Sequence, residues 1–333
     1  MSGDTLQAAA DALSRAERVA LACHVNPDPD ALGSMLGLSA FLRSRGVETV
    51  CSFGNEPFEP PRWLEALPAV DALVPPREFP KAPELLVTLD CASLDRLGNL
   101  AGVVQRAGSV IWIDHHASNP GLGTIPVIDP AASSTAELVH RLMELVGGDV
   151  PAEAAASLYA GLVTDTGRFQ YQATTPETLR LAATLREHGF DHARLAQALF
   201  ADQSVAYLRV LAATLQRVVL DEEASMVWTY LMQSDLSEDG VRIADADDLI
   251  DVLRTAREAD VAAVLKQQRD GRFKVSLRSR GATDVGSVAA AFGGGGHRLA
   301  AGYASRGGLE ETVQRLRDAL ISTRSPSPAS DPA

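Results

Sequence analysis

Asp114, His115 and His116 follow the apolar run Ser109 to Ile113 with no intervening turn. Two imidazoles and a carboxylate therefore leave the end of a buried strand, where open α/β sheets place ligand sites. The triplet is a metal or phosphate address, although a strand-end histidine is often only hydrogen-bonded. A second cluster upstream decides between the two. Val19 to Cys23 reads as a short strand, followed at once by His24, Asp28 and Asp30 in H-V-N-P-D-P-D. Pro29 disfavours the α region for Asp28, so the loop stays extended and the two carboxylates diverge. Diverging carboxylates can serve different ions of a metal pair spaced roughly 3.5 to 4 Å. The competing reading is a polar strand-to-helix turn with a capping aspartate. Leu32, Leu36, Ala40 and Phe41 then mark one face of a helix, with Gly46 as its stop.

Two more acids occupy comparable positions. The strand candidate Glu84 to Leu89 ends in Asp90, and the apolar run Tyr159 to Val163 leads into Thr164-Asp165-Thr166-Gly167, placing Asp165 at a helix or loop end. Ligand-type side chains recurring at element ends argue against surface decoration. Carboxylates and imidazoles without cysteine suit manganese, magnesium or cobalt better than structural zinc. Cys23, Cys51 and Cys91 lack C-x-x-C spacing and read as buried free thiols in a reducing cytoplasm.

Gly293 to Gly296 lies between two mostly apolar stretches, Val288 to Phe292 and Leu299 to Tyr303, inside a packed domain and not in a linker. Successive backbone N–H groups at Gly294, Gly295 and Gly296 are expected to cradle an anion, with His297 and Arg298 adjacent. A P-loop is excluded, because lysine and then serine or threonine would have to follow. Ser134 to Glu137 reads as a capping box opening a helix from Thr135 to Val146, whose N-terminus faces a phosphate unless Ser134 is a plain cap. Arg168, after the D-T-G motif, either reaches substrate or pairs with a surface acid.

Taken together, H-x-N-P-D-x-D, the lone Asp90, the Asp114-His115-His116 triplet and D-T-G at Asp165 resemble the DHH phosphoesterase superfamily in order and spacing. A-F-G-G-G-G-H-R-L-A-A-G-Y, Ala291 to Tyr303, looks like the signature of the C-terminal domain of its NrnA branch. The match runs from about Val19 to Tyr303. The resemblance implies nano-RNases that also remove the 3′-phosphate of 3′-phosphoadenosine 5′-phosphate, with cyclic dinucleotides as further substrates of some members. It implies that His24 and Asp28 bind one ion, that Asp30, His115 and Asp165 bind the other, and that Asp90 bridges the two. Asp114 would fix the His115 ring, and His116 would face the scissile phosphate as a donor or acid. Arg278 and His297 become substrate contacts, and a homodimer is implied. Two rivals remain: a manganese-dependent inorganic pyrophosphatase, disfavoured because its second domain should carry an S-R-K motif, and a nucleotide-binding sensor without turnover.

Length and composition fit this reading. At 333 residues, 46% hydrophobic and 22% charged, the chain can build two cores. Alternating strands and helices up to the helix Pro176 to Glu187 predict a doubly wound, mostly parallel α/β sheet over residues 1–190. A helical connector follows at 191–222, then a smaller α/β domain at 223–323 and a disordered tail at 324–333. In the second domain, strands are expected at Met226 to Met232, Val261 to Gln267 and Phe273 to Arg278. Helices are expected at Asp247 to Arg257, Asp284 to Ala291 and Leu309 to Leu320. No secretory signal and no membrane-length apolar run is visible, so a cytoplasmic protein is expected. Net charge is −13, with 43 acidic against 30 basic residues. Such a surface repels long polyanions, so short RNA or DNA oligonucleotides and small nucleotides, held in a cleft between the domains, are the expected substrates.

Overall fold

The computed structural model describes residues 3–236, 241, 243–246 and 248–324, which divide into two compact units, 1–202 and 203–333. In the first unit five strands, β1 (Arg18–Cys23), β2 (Glu48–Phe53), β3 (Leu85–Leu89), β4 (Ser109–Asp114) and β5 (Ile125–Ile128), form one sheet in the order β2-β1-β3-β4-β5. Every pairing is parallel. The chain thus winds outward from β1 to β2 and then returns past β1 to β3. That reversal puts a topological switch point at the carboxyl ends of β1 and β3, where His24 and Asp90 sit.

Alternation along these strands supplies two cores. Val19, Leu21 and Cys23 of β1 and Ile111 and Ile113 of β4 face a layer of long helices. Ala20, Ala22, Val110 and Trp112 face the opposite side, covered by short segments around Leu97, Leu100 and Val103. The helices are α1 (Gly3–Arg15), α2 (Pro29–Ser44), α3 (Ala101–Val104), α4 (Thr135–Val146), α5 (Ala152–Asp165), α6 (Pro176–Glu187) and α7 (His192–Phe200). The one apolar face expected for α2 is a correction, because residues Asp30 to Leu42 are all buried. The helix runs between the sheet and α5, and a helix surrounded on all sides has no polar face to show. Gly33 and Gly161 allow this approach: a Cβ on Gly33 would lie 2.3 Å from the Ser157 carbonyl oxygen, and one on Gly161 would lie 2.6 Å from Asp30 Oδ1.

The second unit carries β6 (Val219–Asp221), β7 (Met226–Leu231), β8 (Val261–Gln267), β9 (Phe273–Ser279), β10 (Gly295–His297) and β11 (Ala300–Ala304) in the order β10-β11-β9-β8-β7-β6. Only β7 and β8 run parallel. Its helices are α8 (Val205–Leu215), α9 (Gln233–Leu236), α10 (Leu249–Leu253), α11 (Val285–Ala291) and α12 (Leu309–Arg324). The two helices expected to connect the domains are shared out, α7 in the first unit and α8 in the second. The helix expected at Asp247 to Arg257 shortens to α10, and Asp247 lies outside the described residues, as does the tail 325–333. Among the described residues, no helix is long and apolar enough to cross a membrane.

Candidate metal centre

Strand β1 delivers His24 into the first unit with 4% exposure, β3 delivers Asp90 with 3%, and β4 delivers Asp114 and His115 with 0% and 6%. Asp165 comes from the last position of α5 and Asp30 from the first turn of α2. His24 Nε2 lies 3.6 Å from Asp28 Oδ2 and 3.4 Å from Asp90 Oδ2. His115 Nε2 lies 3.3 Å from Asp165 Oδ2, 3.7 Å from Asp90 Oδ1 and 4.0 Å from Asp30 Oδ2. The two oxygens of Asp90 thus face two different groups, His24 with Asp28 and His115 with Asp30 and Asp165. In each of the sets His24/Asp28/Asp90 and Asp30/His115/Asp165, one donor atom per residue falls within 4.8 Å of the others, close enough to hold an ion.

The backbone strains to make this arrangement. Asp90 has φ +56° and Asn26 φ +52°. A left-handed aspartate costs on the order of 1–3 kcal/mol, and such conformations cluster at functional sites. Asp28 serves twice: one oxygen caps α2 by accepting from the Ala31 N–H at 3.0 Å, while the other faces His24. The capping reading and the ligand reading of Asp28 are therefore compatible.

Helix α4 organises the acids in a way that corrects two expectations. The N–H groups of Thr135 and Ala136 donate to Asp30 at 2.7 and 3.0 Å, and that of Glu137 donates to Ser134 Oγ at 3.2 Å. These donors at the helix N-terminus are thus committed inside the protein, and fully buried Ser134 is its cap. Nor is the capping box reciprocal, since the Glu137 carboxylate accepts from the N–H and hydroxyl of Ser133. The Thr135 hydroxyl, invisible as a site residue in the sequence, donates to Asp90 Oδ1 at 2.9 Å. One residue thereby fixes carboxylates from both sets. Replacing it by valine, which keeps the shape and loses the donor, is expected to weaken divalent-metal affinity about 10-fold, while serine is expected to preserve it. Metal titration calorimetry on both variants checks this, and equal affinity of the valine variant and wild type would contradict it.

Asp114 departs from expectation as well. Its Oδ1 accepts from His116 Nδ1 at 2.7 Å and its Oδ2 from Asn119 Nδ2 at 2.7 Å. The ring it fixes is that of His116 and not that of His115, whose Nδ1 lies 3.3 Å from the Ala132 carbonyl oxygen. Successive side chains at a strand end turn to opposite faces, so one carboxylate serves one of two adjacent histidines.

Charge is badly balanced here, and the titrations reflect it. Burial works against the cationic ring of His24, yet hydrogen bonds and charge from Asp28 and Asp90 outweigh it and raise its pKa to about 10. His116 is likewise opposed by burial and lifted by Asp114 and Asp90 to about 9. Despite burial, the neighbouring histidines hold Asp90 well below the usual carboxylate range. Asp30 is pushed well above that range by burial and by Asp90 and Asp165. Buried carboxylates crowded to the point where one resists ionisation form a donor set that suits divalent cations.

The remaining candidates are positioned as follows. Gly167, Arg168 and Phe169 all have positive φ, and the Arg168 guanidinium lies 4.2 Å over the Phe200 ring, a cation–π contact in place of the surface acid considered above. In the second unit, Arg278 Nη1 donates to the Leu277 carbonyl at 3.1 Å and its Nε lies 3.7 Å from Asp251 Oδ1. Arg298 Nη2 donates to the Gly281 carbonyl at 3.0 Å. The glycine run is not the open cradle expected. The Gly293 and Gly294 N–H groups close the end of α11 on the Ala290 and Ala289 carbonyls, and Gly295 to His297 form β10 against β11. Glycine is required sterically at two of these positions, since a Cβ on Gly294 would lie 2.2 Å from the Gly302 carbonyl oxygen and one on Gly296 2.5 Å from the Ala300 carbonyl oxygen. Gly293, at φ +79°, and Gly295 have open space beside them.

A parallel α/β sheet whose strand ends collect aspartates and histidines around one shared carboxylate defines a DHH-type unit, and the comparisons agree. The family description "DHH family, N-terminal domain" matches residues 18–164 and "DHHA1 domain" matches residues 224–323. The chain belongs to the DHH family. It is 36% identical over 301 residues, 90% of this chain and 88% of the relative, to the bifunctional oligoribonuclease and PAP phosphatase NrnA of Thermus thermophilus. It is 28% identical to the protein of the same description from Bacillus subtilis, covering 87% of this chain and 90% of that one. Among solved structures, an exopolyphosphatase-related protein from Bacteroides fragilis superposes with a TM-score of 0.86 at 25% identity, over 96% of both chains.

Proposed function

We propose that this protein is a metal-dependent phosphoesterase that hydrolyses short oligonucleotides and the 3′-phosphate of 3′-phosphoadenosine 5′-phosphate. The observation that carries the reading is Asp90, one carboxylate whose two oxygens address two separate His/Asp sets. Relatives described as bifunctional oligoribonuclease and PAP phosphatase, aligned over most of the chain, support the substrate class. His24 and Asp28 would hold one divalent ion, Asp30, His115 and Asp165 a second, and Asp90 both, with manganese favoured and magnesium or cobalt as alternatives. Two such ions would supply an activated water and neutralise charge on the phosphate.

The chain's own residues supply the rest. Asp114 holds His116 through Nδ1 and keeps the ring protonated near neutrality, so His116 can give a proton to the leaving oxygen. Arg168, and in the second unit Arg278, His297, Arg298 and the Gly294 to Gly296 segment, are the candidate contacts for the non-reacting part of the substrate. A homodimer belongs to the same proposal.

Product analysis tests it. Purified protein with manganese is expected to hydrolyse a dinucleotide and 3′-phosphoadenosine 5′-phosphate and to leave pyrophosphate intact, with a cyclic dinucleotide as a further arm. Because the acidic surface opposes a long polyanion, RNA of 2 to 5 nucleotides should be cleaved faster than RNA of about 24, with a shallow dependence on salt. Turnover of pyrophosphate alone would replace the reading with that of a pyrophosphatase, and equal rates on the long strand would point to a processive exonuclease.

A further inference from the structure

His24 Nδ1 has two neighbours that ask opposite things of it. The Val25 carbonyl oxygen lies 2.9 Å away and can only accept, whereas Arg96 Nη2 lies 3.1 Å away and can only donate. A histidine that gives its Nε2 lone pair to a cation carries its proton on Nδ1, and that proton suits Val25. The Arg96 guanidinium is then left facing a donor. Among the described residues Arg96 is in no ion pair. Its side chain is exposed, while its backbone is fixed by donation from the Val25 N–H to its carbonyl at 2.8 Å. The neighbouring backbone is fixed too, through the Asn99 N–H and the Gly54 carbonyl at 3.1 Å. An anchored residue thus presents an exposed, permanently charged fork at the rim of the His24 set.

We propose that Arg96 is a substrate contact: the guanidinium, which finds no acceptor on the Nδ1–H of His24, grips non-bridging oxygens of the nucleotide phosphate when the His24 set holds its ion. The inference rests on the two-ion reading above and adds to it a residue that neither the ligand motifs nor the glycine signature contains. A guanidinium offers two parallel N–H donors to phosphate, and one that faces a donor in place of an acceptor is available to the substrate. Arg96 touches none of the carboxylates in the two sets, so its loss should spare metal binding.

The test uses the full chain and two probes, Mn2+ and 5′-AMP. Calorimetry with Mn2+ alone on wild type and Arg96→Gln is expected to give the same stoichiometry and affinities within about twofold. With Mn2+ present, 5′-AMP is expected to bind Arg96→Gln 10- to 100-fold more weakly than wild type. Arg96→Lys should recover part of that loss, since it restores charge without the fork. Hydrolysis of a dinucleotide by Arg96→Gln should show the same loss in kcat/KM. Unchanged 5′-AMP affinity in Arg96→Gln overturns the proposal. So does loss of a Mn2+ equivalent from that variant, which would make Arg96 a support for His24. Wild type that takes up no Mn2+ overturns the two-ion reading itself, a result read before any variant is compared.

Discussion

Asp90→Asn is expected to remove about 1000-fold or more of the hydrolytic rate, which corresponds to about 4 kcal/mol of transition-state stabilisation. The amide has the same shape as the carboxylate, so the change is one of charge and lone pairs. Each oxygen of Asp90 faces a different set, 3.4 Å from His24 Nε2 and 3.7 Å from His115 Nε2. An asparagine offers one oxygen to one side and turns a donor NH2 toward the other, so at least one ion should be lost. The fold should survive. Losing the Asp90 charge removes its attraction to His24 and His116 but also relieves repulsion that lifts Asp30. Metal analysis, circular dichroism and initial rates on a dinucleotide decide the matter. A folded Asp90→Asn protein with full turnover and two bound ions would end the shared-carboxylate reading. Asp90→Ala, which offers neither oxygen, is the stricter companion.

What could be read from the sequence was whatever lay next to an apolar run. The ends of β1, β3 and β4 were visible because each buried strand is followed at once by a ligand-type side chain: His24, Asp90, Asp114. Partnerships across long separations were not. Thr135 meets Asp90 across 45 residues and Arg96 meets His24 across 72, and neither Thr135 nor Arg96 is unusual in its own segment. Asp114 was paired with the wrong histidine because adjacency says nothing about which ring turns back toward the strand end. The glycine run was read as a cradle because a three-residue strand of Gly295, Gly296 and His297 has no β-branched residue to announce it, and its pairing depends on Ala300 to Gly302. Helix α2 was given one apolar face because Ser34, Ser39 and Asp30 break the apolar pattern, although each is buried and hydrogen-bonded.

Metal affinity should rise steeply with pH, while the stability of the metal-free protein falls. His24 titrates near 10 and His116 near 9 in the metal-free fold, against an ordinary 6.5. Groups raised on folding stabilise fully below their unfolded pKa, so both contributions are complete below about pH 6.5 and are lost as pH rises through about 9 to 10. Asp30, also raised, acts in the same direction from the acid side. With metal chelated, the melting temperature should therefore decline from pH 6.5 to 8.5. Metal binding runs the other way. His24 must give up its Nε2 proton to become a ligand, so each ion entering its set releases about one proton throughout this window. Apparent affinity for that ion should then rise about tenfold per pH unit, or about 100-fold between pH 6.5 and 8.5. With excess manganese the proton released from His24 offsets that residue's own contribution, so the melting temperature should decline less steeply over the same interval than that of the metal-free form. Calorimetry in buffers of different ionisation enthalpy counts the protons directly, and His24→Asn should abolish the release from this set. If manganese binds wild type with pH-independent affinity and no proton release, His24 is not a ligand, and the two sets around Asp90 do not hold two ions.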